Sequence, residues 1–364
     1  MNEAETSIDA TRFESYLRDE LGIDVVETEL LSNKLNLSIG ITTADEGLAY
    51  VLRRPNELRR TSLFNDLSQE YRVLQQLDDT TVPTQSPVAF CEDESVIGDA
   101  FLVTTYLDGA TVPLGTDLPK GFQTTEGRAR VATDLIDTLA DIHTLEVDQF
   151  DEFLYRRRPL EQVARASERL DEATSVIGRD FPTLRGVGDW LRENAPDDGP
   201  TALVHGDYRP GNVLFGEGAD SAITGVLDWE TAMVGDPLTE MGYLLLRWRD
   251  DGDPTLSLDD LEARASGGET IGELRGLNEH GLCPFSAKLG SPTRRELVDR
   301  YENATGIPYE HDRFYRAHAA FMLATVWADI HRRRIADGSP TDEVLYVDYM
   351  AKVADSIATG EFDL

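Results

Sequence analysis

Eight consecutive residues in the second half of the chain constrain it most: His205-Gly206-Asp207-Tyr208-Arg209-Pro210-Gly211-Asn212. Sixteen residues after Asn212 comes Asp228, in Val226-Leu227-Asp228-Trp229-Glu230. Short apolar runs at 202–203, 213–215 and 223–227 read as strands around this motif. Any fold for the chain must therefore bring a loop and the end of a following strand together. An Asp, an Asn five positions later and a second Asp beyond a hydrophobic stretch form the minimal kit for phosphoryl transfer from a nucleotide. The first Asp accepts the proton of an attacking hydroxyl, and the Asn and second Asp hold magnesium on the phosphates. A lone aspartate is more often an N-cap or turn residue, but Asp207 stands in company with Asn212 and Asp228. Asn212 offers a neutral oxygen and Asp228 a charged one, which suits a cation that takes few protein oxygens plus phosphate and water.

Charge narrows the partners. The 364 residues carry 68 acidic and 34 basic side chains, a formal net charge of -34, and only four of the basic residues are Lys. The acidity is dispersed rather than gathered in a tail. Such a surface repels nucleic acid and suits solubility in high salt, as in halophilic proteins. The two cysteines, Cys91 and Cys283, supply neither a disulfide framework nor a metal site, and read as free thiols in a reducing compartment. The acidic start lacks an apolar core of the signal-peptide kind, and no run reaches membrane-spanning length, so the expectation is a cytoplasmic protein with no membrane partner. The dispersed histidines His143, His280, His311, His318 and His331 lack ligand spacing.

Periodicity divides the chain near residues 107–110. Before it, helix 8–21 precedes strands 25–31, 35–43 and 48–53, with Asp45-Glu46-Gly47 as a hairpin turn. Helix 65–77 and strands 86–91 and 100–107 follow. This predicts an α+β fold whose residues 1–107 form a small antiparallel sheet carrying one helix. Residues 108–364 read as mainly helical, over 128–145, 160–173, 184–194, 238–248 and 314–335. Segment 250–290 is the least regular, and Ser291-Pro292 is a helix start.

The motif around Asp207, Leu227-Asp228-Trp229-Glu230 and Gly235-Asp236-Pro237 resemble the aminoglycoside phosphotransferase and choline kinase family. Upstream, Tyr50-Val51-Leu52-Arg53-Arg54-Pro55, Gln69-Glu70-Tyr71-Arg72-Val73-Leu74 and Phe101-Leu102-Val103-Thr104-Thr105-Tyr106-Leu107-Asp108-Gly109 continue the likeness. It is nearest to the kinase-like domains fused to, or beside, acyl-CoA dehydrogenases, and covers roughly residues 25–250.

The resemblance implies a two-lobed protein-kinase-like fold: a nucleotide-binding N-lobe, and a C-lobe with catalytic loop, metal site and acceptor region. It implies ATP and Mg2+ as cofactors, and a small hydroxylated molecule as partner. Hydroxyacyl thioesters and amino alcohols or aminoglycosides are the acceptor candidates. Asp207 is then the catalytic residue, and Asn212 and Asp228 the metal ligands. A kinase needs a cation on the third strand, oriented by a helix carboxylate. By position these are Arg53 and Glu70; a one-residue slip in register would substitute Arg54. Thr105 and Tyr106 fall in the hinge that meets the base. Glu230 is open between a metal or substrate contact and a supporting hydrogen bond. His205 braces the loop, and Asp236 is structural.

One departure stands out. The loop over the phosphates, Ser32-Asn33-Lys34-Leu35-Asn36-Leu37-Ser38, has no glycine before Gly40. Ser32, Asn33, Asn36 and Ser38 can then supply side-chain hydrogen bonds, and Lys34 a charge, where related domains offer backbone amides. That loop motivates the alternative of a catalytically silent, nucleotide-binding regulatory protein.

Overall fold

A computed structural model describes residues 10–364 apart from 62, 198, 217–221, 337, 339–341 and 363. Ile8, expected in the first helix, lies outside the described residues.

The N-terminal part is a five-stranded antiparallel sheet. Its strands are β1 (Val25–Asn33), β2 (Asn36–Thr43), β3 (Gly47–Pro55), β4 (Pro87–Cys91) and β5 (Phe101–Thr105), in the order β1-β2-β3-β5-β4. Gly47 pairs with Thr43 and has a φ of 73°. The expected hairpin turn therefore forms where a residue without Cβ takes the left-handed conformation. On one face, helix α1 (Ala10–Leu21) packs Phe13 and Leu17 against Ile41, Leu52, Phe101 and Val103. Phe101 takes the rings of Phe13 and Tyr16 edge-on, the geometry favoured by the ring quadrupole.

On the other side lies α2 (Leu67–Leu77), capped by Asp66 through a reciprocal capping box with Gln69. Its Leu67, Val73, Leu74 and Leu77 do not join the α1 core. They belong to one continuous apolar cluster with the C-terminal part, which includes Leu102, Leu135 and Trp229. The helix next to the cleft is thus anchored to both lobes. The sheet carries α1 and the four-residue α3 (Glu94–Ile97) as well as α2, so it bears more helix than sequence reading gave it.

The larger lobe is mainly helical. Its helices are α4 (Thr125–His143), α5 (Asp148–Asp151), α6 (Pro159–Ile177), α7 (Pro182–Asn194), α8 (Leu238–Leu245), α9 (Asp259–Glu262), α10 (Gly268–His280), α11 (Arg294–Thr305), α12 (Asp312–Ala336) and α13 (Val344–Thr359). Two small sheets carry the motif: β6 (Arg156–Arg157), β10 (Met233–Gly235) and β7 (Ala202–Val204) in one, β8 (Val213–Phe215) and β9 (Ile223–Val226) in the other.

Three expectations for this lobe change. Segment 250–290 is more ordered than its Asp, Gly and Ser content implied, because Ile271, Leu274 and Leu277 of α10 reach the core at helical spacing. Helix α11 starts two residues later than Ser291-Pro292, at Thr293, whose capping box with Glu296 satisfies the first amides. Helix α13, absent from the sequence reading, buries Leu345, Met350 and Ala354 against the core. Cys91 and Cys283 are buried free thiols. No helix among the described residues is long and apolar enough to cross a membrane.

Candidate active site

The loop after β7 is folded around its own backbone. Gly206 has a φ of 86°, and a Cβ there would meet the Thr231 carbonyl oxygen at 2.4 Å. Only glycine makes this turn at this distance. His205 accepts the Asp207 amide at Nδ1 (3.2 Å) and meets the Leu227 carbonyl through Nε2 (2.7 Å). One imidazole therefore ties the Asp207 loop to the segment that presents Asp228. The Leu227 amide closes the link by donating to the Asn212 carbonyl at 2.8 Å.

Asp207, about a third exposed, takes four hydrogen bonds from three polar neighbours. Arg209 Nε donates to both of its oxygens at 3.1 Å, the Tyr243 hydroxyl donates at 2.6 Å, and Asn212 Nδ2 donates at 2.7 Å. Burial pushes the Asp207 carboxyl up, but the Arg209 and Arg247 guanidiniums and the Tyr243 hydroxyl outweigh it and hold the pKa below the usual carboxylate range. Asn212 gives its amide nitrogen to Asp207 twice, to the side chain and to the backbone carbonyl. That leaves its amide oxygen as the atom that could meet a cation. Asp228 stands across from this pair with a φ of 63° and a side chain 44 % exposed. A non-glycine residue in the left-handed region is uncommon and is held there by its surroundings.

Arg53 of β3 points inward, as the predicted register requires. It donates to Glu70 of α2 at 2.8 Å, and its other terminal nitrogen lies 2.8 Å from Asp228 and 3.1 Å from Glu230. Arg54 turns away and donates to the Ile97 carbonyl at 3.3 Å. A second cation, Arg59, went unnoticed in the sequence. It takes the other Glu70 oxygen, lies 3.3 Å from Glu230 and donates to Asn36 Oδ1 at 3.0 Å. Asn36 Nδ2 in turn donates to Glu230 at 2.8 Å.

Three carboxylates thus share two buried guanidiniums. Burial pushes Glu70 up, and Arg53 and Arg59 together bring it below its ordinary value. Glu230 is pushed up to about 7, because burial and its neighbours Asp228 and Glu70 outweigh the arginines. Glu230 faces the sheet rather than the Asp207 loop, so of its two expected roles the supporting hydrogen bond fits its contacts.

The glycine-poor loop closes on itself. Asn56, just past β3, donates to Asn33 Oδ1 and to the Lys34 carbonyl, both at 2.9 Å. Asn33 is therefore committed within the hairpin, and Ser32 pairs across it with Ser38. At the hinge, the Thr105 amide donates to the Ser86 carbonyl and the Tyr106 amide to the Ala49 carbonyl. Both backbone donors of that pair are engaged within the lobe.

Sequence reading also missed the support beneath the loop. Glu240 in the first turn of α8 is buried and accepts the amides of His205 (3.0 Å), Gly206 (2.6 Å) and Tyr208 (3.3 Å). His143 meets it at 3.1 Å and binds the Tyr301 hydroxyl at 2.8 Å through its other nitrogen. Asp236 accepts the Leu238 amide and the Tyr315 hydroxyl. It caps α8 rather than touching the loop. Glu240 and Tyr243 of α8 and Arg247 just past its end fall at i, i+3 and i+7, and that spacing was the available signal.

Comparison with known proteins agrees with this arrangement. Residues 28–277 match the sequence profile of the phosphotransferase enzyme family. The chain belongs to that family. Among solved structures, a protein of Ralstonia eutropha described as an aminoglycoside phosphotransferase superposes with a TM-score of 0.73 at 24 % identity, over 97 % of this chain and 99 % of that one. Spectinomycin phosphotransferase in complex with ADP and spectinomycin gives 0.60 at 11 % identity, over 98 % and 99 %. The fold is accordingly the two-lobed α+β fold of kinase-like phosphotransferases. Acyl-CoA dehydrogenase family member 11 of Gallus gallus is 30 % identical over 295 residues, 79 % of this chain and 34 % of the relative. Family member 10 of Mus musculus is 26 % identical over 363 residues, 96 % and 31 %. The chain spans about a third of the length of these curated relatives.

Proposed function

We propose that this phosphotransferase moves the γ-phosphate of ATP, in the presence of Mg2+, to a hydroxyl of a small molecule. The observation that carries the reading is the Asp207–Asn212–Asp228 arrangement, locked by His205 and presented beside Arg53. Asp207 orients the acceptor hydroxyl and takes its proton. Its lowered pKa keeps it ionised at neutral pH, and Tyr243 and Arg209 fix its carboxylate plane. Arg53, aligned by Glu70, grips the nucleotide phosphates, a bidentate task that guanidinium suits. Arg53 rests against Asp228 and exchanges that contact for phosphate when nucleotide binds.

Among the described residues no cluster of three or more His, Cys, Asp or Glu could cage a metal ion. Magnesium is held by one or two protein oxygens together with phosphate and water. The Asn212 amide oxygen and the Asp228 carboxylate are the atoms that would hold it. When bound, it neutralises charge on the transferring phosphate. Residues 1–107 serve as the nucleotide lobe and 108–364 as the acceptor lobe. Hydroxyacyl thioesters are acceptor candidates through the dehydrogenase relatives. Amino alcohols are the other, since a solved neighbour is the kanamycin complex of a phosphotransferase.

Replacing Asp207 by Asn tests the reading. Loss of the base costs about 10²–10⁴-fold in turnover, with nucleotide affinity and melting temperature close to the parent. Unchanged ATP-dependent phosphorylation of every acceptor by Asp207→Asn would refute the mechanism.

A further inference from the structure

A cleft of about 600 Å³ opens in the larger lobe between the start of that lobe, α10, α12 and α13. Its walls begin on segments bonded to the Asp207 loop. The Val112 amide donates to the Pro210 carbonyl, and two residues on Leu114 enters the lining. On the other wall, the Cys283 amide donates to the carbonyl of Arg247, the residue whose guanidinium acts on Asp207, and Pro284 follows in the lining. The Gly115 amide joins the two walls through the Leu282 carbonyl. The segments that begin its walls are thus tied by backbone bonds to the Asp207 loop and to Arg247, and its volume is that of a small-molecule site.

Its lining combines apolar side chains with Glu273, His280, Arg334 and Glu343. Leu114 and Ile330 are exposed there, at 42 % and 39 %, beside Leu277 and the edge-to-face pair Trp327 and Tyr346, 5.2 Å between ring centres. The two carboxylates on the wall are already engaged, Glu273 by the Tyr346 hydroxyl and Glu343 by Arg334 at 2.5 Å. A polycationic acceptor would need carboxylates to meet its ammonium groups, whereas an apolar body needs the aromatic and aliphatic faces that the cleft displays.

Building on the phosphotransfer reading, we propose that this cleft binds the apolar body of the acceptor. The substrate class is then a hydroxylated molecule with a hydrocarbon chain, selected by Trp327, Ile330 and Leu114.

The test uses the full chain and neutral 1,2-alkanediols of four, six and eight carbons, with binding measured calorimetrically and phosphorylation measured with ATP. Affinity is expected to rise about fourfold for each methylene that enters the cleft, the ratio given by about 0.8 kcal/mol per CH2. Trp327→Ala and the surface substitution Ile330→Asp should each flatten that dependence and leave ATP affinity unchanged. Equal affinity for all three diols overturns the proposal, as does a chain-length dependence that both variants retain. Chain-length-dependent binding with no phosphorylation of any diol counts against the phosphotransfer reading and leaves the cleft standing. Phosphorylation that is blind to chain length does the reverse.

Discussion

His318 shows how much a single buried side chain sets the protein's response to pH. It lies on α12, 2 % exposed and stacked on Phe314, with no hydrogen-bond partner for either ring nitrogen among the described residues. Burial alone lowers its pKa from 6.5 to about 4. The folded state therefore binds a proton less readily than the unfolded chain. Stability from the neutral ring is complete above pH 6.5 and is lost as pH falls from there towards 4, after which it changes no further. The loss is of order 3 kcal/mol at about 1.36 kcal/mol per pKa unit. Urea melts at pH 7.5 and 4.5 should show it, and His318→Leu should remove most of the difference. A pH slope that His318→Leu leaves intact would locate the titration elsewhere. At this scale the sequence was partly legible. Asp207, Asn212, Asp228, Arg53 and Glu70 declare themselves because motif and register bring them together. Arg59 does not, and Asn36 was read only as a phosphate-loop side chain, because their meaning lies in contacts across 11 to 194 sequence positions with Glu70 and Glu230.

Helix α8 is the element on which the site is built. Its first turn brings Glu240 under three backbone amides, its next turn brings Tyr243 to Asp207, and Arg247 follows just past its end, close enough to act on the Asp207 carboxylate. Removing the Glu240 carboxylate leaves three buried backbone amides without their acceptor, and each such unsatisfied group costs about 1–3 kcal/mol. Glu240→Ala should therefore melt at clearly lower urea. In the folded fraction, turnover should fall by about 10²-fold, the cost of a small misplacement of the reacting groups, with little change in KM for ATP. A purely structural part would lower stability and leave the turnover of the folded enzyme unchanged. Glu240→Gln keeps the shape and one acceptor oxygen, and should recover part of both. The elements themselves were mostly legible. Strands β1 to β5 and helices α2, α4, α6, α7, α8 and α12 carry clear periods and caps. Helix α10 was hidden by its three glycines, which favour loops, because its three inward apolar residues are too few to dominate it. The pairing of β6 with β10 could not be read locally, since two residues of strand have no period.

At the scale of the whole molecule the governing quantity is the net charge of -34 on 364 residues. Much of the positive charge is committed to pairs. Arg294 binds Asp253 and the Trp248 carbonyl, Arg179 and Arg264 share Asp348, and Arg332 and Arg333 share Asp329. The acidic excess leaves the molecule with a net repulsion among its unpaired carboxylates. Two effects of salt then oppose each other. Screening weakens the exposed pairs, each worth about 0–1 kcal/mol, and it weakens the repulsion summed over the whole excess, which destabilises the compact state. The second is larger here because acidic residues outnumber basic ones two to one, while partly buried pairs such as Arg294–Asp253 are screened least. The melting temperature should therefore rise with KCl. The steepest gain should come between about 0.01 and 1 M, where the screening length falls from about 30 Å to about 3 Å. KCl and NaCl should act alike over that range if charge screening is the cause. Stabilisation by sulfate but not by chloride would instead mark exclusion of the salt from the surface, and a falling melting temperature would mean that the paired charges outweigh the unpaired ones.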